Sequence, residues 1–208
     1  MASKIIVDQL EKTGGALTAL TLPASNATAN QYLQDNGSGV LSWSTVNSPA
    51  FTSYAVIADE KTSGTNGGTF TTGSWQTRDL QTKVTDEDVI VTIAANAFTL
   101  TTGNYLINWS APAVWVDAHK TRLYDVTGAA EVEVGTSEFA VVIPAGYPAT
   151  MAKTVTRSSG FARVAVAGAS NVYTIEHKCG ATGTTYGFGI AVSYGVEVYT
   201  QVAIYKEA

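Results

Sequence analysis

Glu176-His177-Lys178-Cys179 is the one place in the chain where metal-binding and nucleophilic residue types are gathered. Side chains alternate along a strand, so His177 and Cys179 would share a face, close enough to hold one ion. A tetrahedral zinc site needs further ligands, and the only other histidine is His119. A half-buried strand end at the rim of a sandwich is therefore the preferred reading. A Cys–His nucleophile pair would also require an activating geometry and an oxyanion site, which the residue pattern does not supply.

Asp86-Glu87-Asp88 is an acidic loop with the residue types of a calcium site. It lacks the alternating oxygen ligands and the closing bidentate Glu of a dedicated loop, so a solvated turn is the better reading. Trp115, Tyr147 and Tyr186 fall near strand ends, where aromatic rings can stack on sugars. Core packing explains Trp115 as well. It explains Tyr147 less well, since that residue sits among Pro144, Gly146 and Pro148. Tyr147 and Tyr186 are the candidate surface-binding aromatics. There is no P-loop, GxSxG or HExxH motif. The expectation is a non-enzymatic protein with no cofactor and no metal.

The elements that position these residues are strands. In Tyr105-Leu106-Ile107-Asn108-Trp109, Tyr105, Ile107 and Trp109 share one face, which needs a sheet to pack against. Phe98-Thr99-Leu100 precedes it across the turn residues Thr101 to Asn104 and predicts a hairpin. The long strand should be central. From Ser53 onward, strand signals recur at short spacing through Trp75–Leu80, Val89–Ile93, Thr121–Tyr124, Val132–Val134, Phe139–Ile143, Val155–Arg157, Phe161–Val166, Val172–His177, Gly187–Tyr194 and Val196–Tyr205. Gly-rich turns separate them and no helical-period stretch as long as three turns occurs, which predicts an all-β sandwich of Greek-key or jelly-roll type.

The chain has 208 residues, of which 14% are charged, with a net charge of -5. Phosphate binding needs clustered Lys and Arg, so a nucleic-acid surface is excluded. Cys179 is the only cysteine, so no intrachain disulfide forms. No apolar run reaches the length of a membrane span, and the N-terminal stretch is not of signal-peptide type. Synthesis in a cytoplasm and no membrane insertion are the expectations.

Residues 1–50 differ from the rest. Lys4–Val7 and Leu20–Leu22 are short β runs, and Tyr32–Trp43 reads as a hairpin around Asp35-Asn36-Gly37-Ser38-Gly39. Leu20, Leu22, Tyr32, Leu33, Leu41 and Trp43 cannot close an independent core. The segment must be disordered, pack on the main domain, or bury these residues against copies of itself. Asn47-Ser48-Pro49-Ala50 reads as a linker, giving an N-terminal segment 1–50 and a main domain 53–208. In the last strand, Val198, Val202 and Ile204 should face the core. Tyr199, Gln201, Ala203 and Tyr205 should face outward, and that face lacks charge until Lys206. A sheet face in water normally carries charges; this one suits a neighbouring subunit.

The Phe98-Thr99-Leu100 / Gly103-Asn104-Tyr105 stretch resembles the F-x-x-x-x-x-G-x-Y signature of C1q/TNF-like jelly rolls, and Tyr199–Tyr205 resembles their closing strand. Trp75–Leu80, Arg122–Asp125, Gly135–Phe139 and Gly187–Gly189 are similar to phrases in tailed-phage structural proteins. Leu22-Pro23, Ala29–Gln34 and Gly37–Trp43 look like a segment common in phage fibre and appendage proteins. The resemblance implies a homotrimeric virion protein, with residues 1–50 as a stalk or anchor to other virion proteins and a C-terminal jelly-roll head. It implies a tail, collar or capsid fibre contributing to host attachment, with a host-surface glycan as a partner. A carbohydrate-binding module or a capsid decoration protein without a receptor role are the alternatives.

Overall fold

Phe98, Leu100, Tyr105, Ile107 and Trp109 are all buried, and the architecture follows from how they come to face one another. The structure, a computed structural model, describes residues 9–10, 20–46, 49–141, 154–168 and 171–208. Among these no helix occurs. The chain divides into two units, Met1–Pro49 and Ala50–Ala208.

In the first unit β1 (Gln9–Leu10) pairs antiparallel with β2 (Leu20–Thr21), and β3 (Gln31–Asp35) with β4 (Leu41–Thr45). The β3–β4 hairpin is the one expected. Its turn is held by Gly37 N donating to Asp35 Oδ1 and Ser38 N to Asn36 Oδ1, both at 2.9 Å. Gly37 and Gly39 take positive φ, which a side chain would oppose. Tyr32, Leu33 and Val40 remain exposed, as the shortage of core-forming residues requires. Lys4–Val7, Asn47 and Ser48 lie outside the described residues.

The second unit is built from β5 (Phe51–Lys61), β6 (Gln76–Thr77), β7 (Thr82–Thr85), β8 (Val91–Ala94), β9 (Ala97–Leu100), β10 (Gly103–Val114), β11 (Asp117–Asp125), β12 (Ala130–Val134), β13 (Glu138–Ala140), β14 (Val155–Val166), β15 (Val172–Cys179) and β16 (Glu197–Glu207). Sheet A runs β14-β10-β16-β5-β7, and sheet B runs β12-β11-β15-β9-β8, with β13 on β11 and β6 on β15. The pairing is nested. β5 pairs with the last strand β16, β9 with β15, β10 with β14, and β11 with β12, all antiparallel. Nested pairing of that kind is a long hairpin rolled into two layers, which is a jelly roll.

Tyr105, Ile107, Trp109, Val202 and Ile204 from sheet A meet Phe98, Leu100, Leu123, Tyr173 and Ile175 from sheet B in one core. A smaller cluster of Phe70, Ala113, Val116, Ala140 and Cys179, covered by Phe188, fills one end.

Four sequence expectations change. Phe98–Leu100 and Gly103–Tyr105 do not form a hairpin. β9 belongs to sheet B and β10 to sheet A, because a hairpin would leave both runs on one surface whereas crossing between layers buries them against each other. The turn is tied by the Tyr105 hydroxyl donating to Thr101 O at 2.9 Å. The long strand β10 is paired on both sides, but the middle of sheet A is β16. Strand β5 starts at Phe51, before Ser53, with Phe51 already in register with Glu207. Gly187–Tyr194 is not a strand. Its Ala191 N bonds Asn66 Oδ1, and Val192 N and Ser193 N bond Glu197, in place of a sheet partner.

Candidate functional site

On the outer face of sheet A, strict alternation brings uncharged side chains into rows. Phe161, Asn108, Ala203 and Val56 are consecutive cross-strand neighbours on β14, β10, β16 and β5. The next row holds Arg163, Leu106, Tyr205 and Tyr54, with the Phe51 ring 5.3 Å from that of Tyr205. Ser159, Ser110 and Gln201 form the third. Apart from Arg163 on the edge strand β14, none of these side chains is charged. Phe161 is 66% exposed, an unusual state for a phenyl ring at the middle of a strand. Charge appears only at the margins. Arg163 grips Glu207 with two bonds of 2.6–2.7 Å, and Arg157 is turned onto Ser110 Oγ and Tyr199 O. A hollow of about 460 Å³ runs beside Phe161, lined also by Val134, Thr136 and Arg163.

Gln201, Ala203 and Tyr205 thus face outward as their alternation requires, and Val202 and Ile204 face the core. Tyr199 and Val198 do not follow. The β16–β5 register shifts between Val198 and Gln201, and this bulge reverses the alternation before it. Tyr199 is 4% exposed, its hydroxyl donating to Thr65 O at 2.7 Å, while Val198 is 39% exposed. Tyr199 therefore leaves the outward set. Burial pushes its phenol up to about 12.

Reversing Val198 extends an apolar surface around the sheet end opposite Ala50. Val192, Val196 and Val198 stand in water beside Val155 around a hollow of about 240 Å³, and Tyr194 is 96% exposed. Glu197 shapes this loop. Its carboxylate accepts from Gly64 N (3.0 Å), Ser193 N (2.7 Å) and Val192 N (3.1 Å), and these donors hold its pKa below the ordinary carboxylate value.

Between the sheets lies a polar layer. Trp109 Nε1 donates to Thr121 Oγ1 (2.9 Å), Thr121 Oγ1 lies 2.8 Å from Ser158 Oγ, and Ser158 Oγ donates to Thr136 O (2.8 Å). An indole N–H only donates and a carbonyl only accepts, so the hydroxyl of Thr121 must donate to Ser158. Arg78, fully buried, donates to Thr200 Oγ1, Pro112 O and Phe188 O and lies 4.2 Å from the Phe188 ring centroid. Burial pulls its pKa down to about 9.

The two histidines meet here. His119 Nδ1 is 2.9 Å from His177 Nε2, and His119 Nε2 is 2.7 Å from Thr156 Oγ1. His177 Nδ1 is buried with no hydrogen-bond partner. A proton on that atom would be an orphaned donor, so the cheaper tautomer has His177 Nε2–H donating to His119, and His119 Nε2–H donating to Thr156. Cys179 is buried near Phe70 O (3.9 Å), and burial pushes its thiol up to about 11. The neutral, hydrogen-bonded histidines and a protonated thiol make a packed strand end, not an activated nucleophile.

Among the other sequence candidates, Asp86 caps its own loop. It accepts from Ile90 N and pairs with Lys83, while Glu87 and Asp88 point to solvent. Trp115 and Tyr186 come together edge to face, 5.6 Å apart and half-buried. Tyr147 lies outside the described residues. No group of three or more potential metal ligands is present among the described residues, and no described helix is long and apolar enough to cross a membrane. The sequence pattern predicts Gly187–Tyr194 and Val196–Tyr205 as strands with Val198 facing the core, and it does not pick out Phe161. The signal for Phe161 was available, because β14 alternates Ala162, Val164 and Val166 on the face opposite to it.

No protein-family description and no curated protein matches the sequence. Among solved structures the chain is similar to the PRD1 vertex protein P5, at 14% identity over 77% of this chain and 100% of that one, with a TM-score of 0.49. It is similar to the globular domain of zebrafish complement 1qA protein at 13% identity, 74% and 95% coverage and a TM-score of 0.44. Murine APRIL gives 8% identity, 74% and 98% coverage and a TM-score of 0.45.

Proposed function

We propose that this protein is a homotrimeric structural component of a virion, a fibre or appendage whose jelly-roll head contributes to host-surface attachment. The observation that carries the reading is the outer face of sheet A, uncharged except for the Arg163–Glu207 pair at its margin. Phe161, Leu106, Ala203, Tyr205, Val56 and Tyr54 form a surface that suits a second copy better than water. Three copies are what the resemblance of Phe98–Tyr105 and Tyr199–Tyr205 to C1q/TNF-like sequences implies, with small Ala203 and the amide of Gln201 able to sit close to an axis. The exposed Tyr32, Leu33 and Val40 of the first unit support burial among copies in the same assembly, and residues 1–50 would join it to other virion proteins. Several weak surface contacts on three heads gain avidity without strong single sites.

Light scattering of the purified chain tests the assembly, and a mass three times the 21.8 kDa of one chain is expected at micromolar concentration. A monomer mass would sink the reading. Labelling of purified particles with an antibody to the head, viewed by electron microscopy, tests the virion location.

A further inference from the structure

The outer face of sheet B carries a charge arrangement that sheet stability does not explain. Lys120 on β11 and Lys178 on β15 are directly opposite in the antiparallel register, where like charges repel. Neither makes an ion pair among the described residues. The neighbouring cation on the same face is treated differently. Arg122 is opposite Glu176, bound at 2.6 Å, and also reaches Glu131 at 3.3 Å.

An aromatic ring is held beside the two lysines. Gln76 pairs with His177, so the register brings Trp75 up beside Lys178. The Arg122 guanidinium, fixed by its carboxylates, lies 4.3 Å from the Trp75 ring centroid and holds the indole in place. Trp75, Lys120, Lys178, Ser137 and Glu138 line a hollow of about 380 Å³, within the size range of small-molecule sites. Behind it, His119 belongs to the buried neutral pair and adds no charge near pH 7, since burial brings its pKa to about 4.

We propose that this hollow binds a saccharide carrying a carboxylate or a sulfate. An indole face, negative at its centre, receives the C–H bonds on the apolar face of a sugar ring. The Glu138 carboxylate and Ser137 hydroxyl accept from sugar hydroxyls. The lysine pair takes the anionic substituent, and binding relieves the Lys120–Lys178 repulsion. The site lies on sheet B, so it stays open when the outer face of sheet A is covered by other copies. It rests on the attachment part of the proposed function, supplying its contact, and not on the trimeric part.

Isothermal titration of the full chain with 3′-sialyllactose, a heparin-derived disaccharide, neutral lactose and triglutamate tests it, with mass measured by light scattering on the same samples. At least one acidic saccharide should bind, more weakly as salt rises, while lactose and triglutamate do not. Binding of 3′-sialyllactose, whose only anion is a carboxylate, assigns the carboxylate; binding of the heparin disaccharide alone, which carries both groups, assigns the sulfate. Lys178→Ala, a change at an exposed side chain, should lower affinity about tenfold, and Trp75→Ala should abolish binding. The proposal is overturned if neither acidic saccharide binds at millimolar concentration, if triglutamate or lactose binds equally well, or if Lys178→Ala leaves affinity unchanged. A trimer that binds no acidic saccharide removes only this site. A monomer that binds one removes only the oligomer.

Discussion

His119 and His177 share one hydrogen bond of 2.9 Å, and both are buried. Both pKa values are lowered, first by burial. For His177, Arg78 and His119 add to the effect; for His119, Glu138 opposes it and Arg78 adds to it. The unfolded chain takes up these protons near the ordinary histidine value, and the folded chain resists them. Stability is therefore fully present above that value, about 6.5, and falls as pH drops toward about 4, the folded value for His119. The slope is at most about 1.4 kcal/mol per pH unit for each histidine. Urea midpoints at neutral pH and near pH 5 should differ accordingly. His119→Gln removes one of the two groups and should reduce the difference by about half. Equal midpoints for the unmodified chain would count against a neutral pair.

Gly160 is needed for space. A Cβ there would lie 2.2 Å from Trp109 Cζ2, and the indole cannot retreat because its Nε1 is tied to Thr121. Gly160→Ala should cost about 1–3 kcal/mol by overpacking. It should also shift tryptophan fluorescence in the folded state. Gly168→Ala is the control, since a Cβ at Gly168 meets nothing within 4 Å. If both variants unfold at the same urea concentration, the tight contact is not real.

The loop bearing Val192 and Tyr194 depends on one carboxylate. Glu197→Gln replaces an acceptor oxygen by an amide NH2 that cannot accept from a backbone N–H, so at least one of the bonds to Gly64, Ser193 and Val192 must break. Amide exchange at Val192 and Ser193 should accelerate while that of the core strands stays slow. Because the folded pKa of Glu197 is depressed, its contribution is present above the ordinary carboxylate value and is lost as pH falls through the depressed one. That window lies at the acid end of the histidine window, and Glu197→Gln should flatten only that part of the profile. Unchanged exchange at both amides would show that the loop is held by something else.

The sandwich was legible because its core faces obey a period of two. Tyr105, Ile107 and Trp109 alternate with Leu106 and Asn108, and only one assignment of faces buries the rings. What was not legible arises where one residue slips that period. Val198 and Tyr199 look interchangeable in an uncharged strand, and the choice between them depends on the bulge in the β16–β5 register and on Thr65, far away in sequence, accepting from the Tyr199 hydroxyl. Gly187–Tyr194 has strand composition, but its backbone donors are taken by Asn66 and Glu197. Local pattern cannot report such distant partners. The Lys120–Lys178 and His119–His177 meetings are long-range for the same reason: each joins β11 to β15 across the intervening β12–β14 stretch.

The faces of β16 give the sharpest test of the assembly. Ala203 lies between Asn108 and Val56 on the outer face, with Phe161 next along the row. Ala203→Arg places one cation in every copy at a surface that should be dry in the proposed trimer, where desolvated like charges repel. The chain should fall to a monomer mass and keep its β circular-dichroism spectrum. Phe161→Asp should act in the same way from the edge of the row. Val202, adjacent in sequence, is fully buried among Trp109 and Ile57 neighbours, so Val202→Arg forces a charge into the core and should unfold each subunit. Tyr199→Phe separates the two kinds of position. It deletes the bond to Thr65 O and should cost about 1 kcal/mol of stability with the oligomeric mass unchanged, because Tyr199 sits inside the subunit. Suppose instead that Tyr199→Phe dissociated the assembly while Ala203→Arg left it intact. The contact between copies would then lie nearer the Val192–Val198 end, and the outer face of sheet A would have to be covered by something other than this chain.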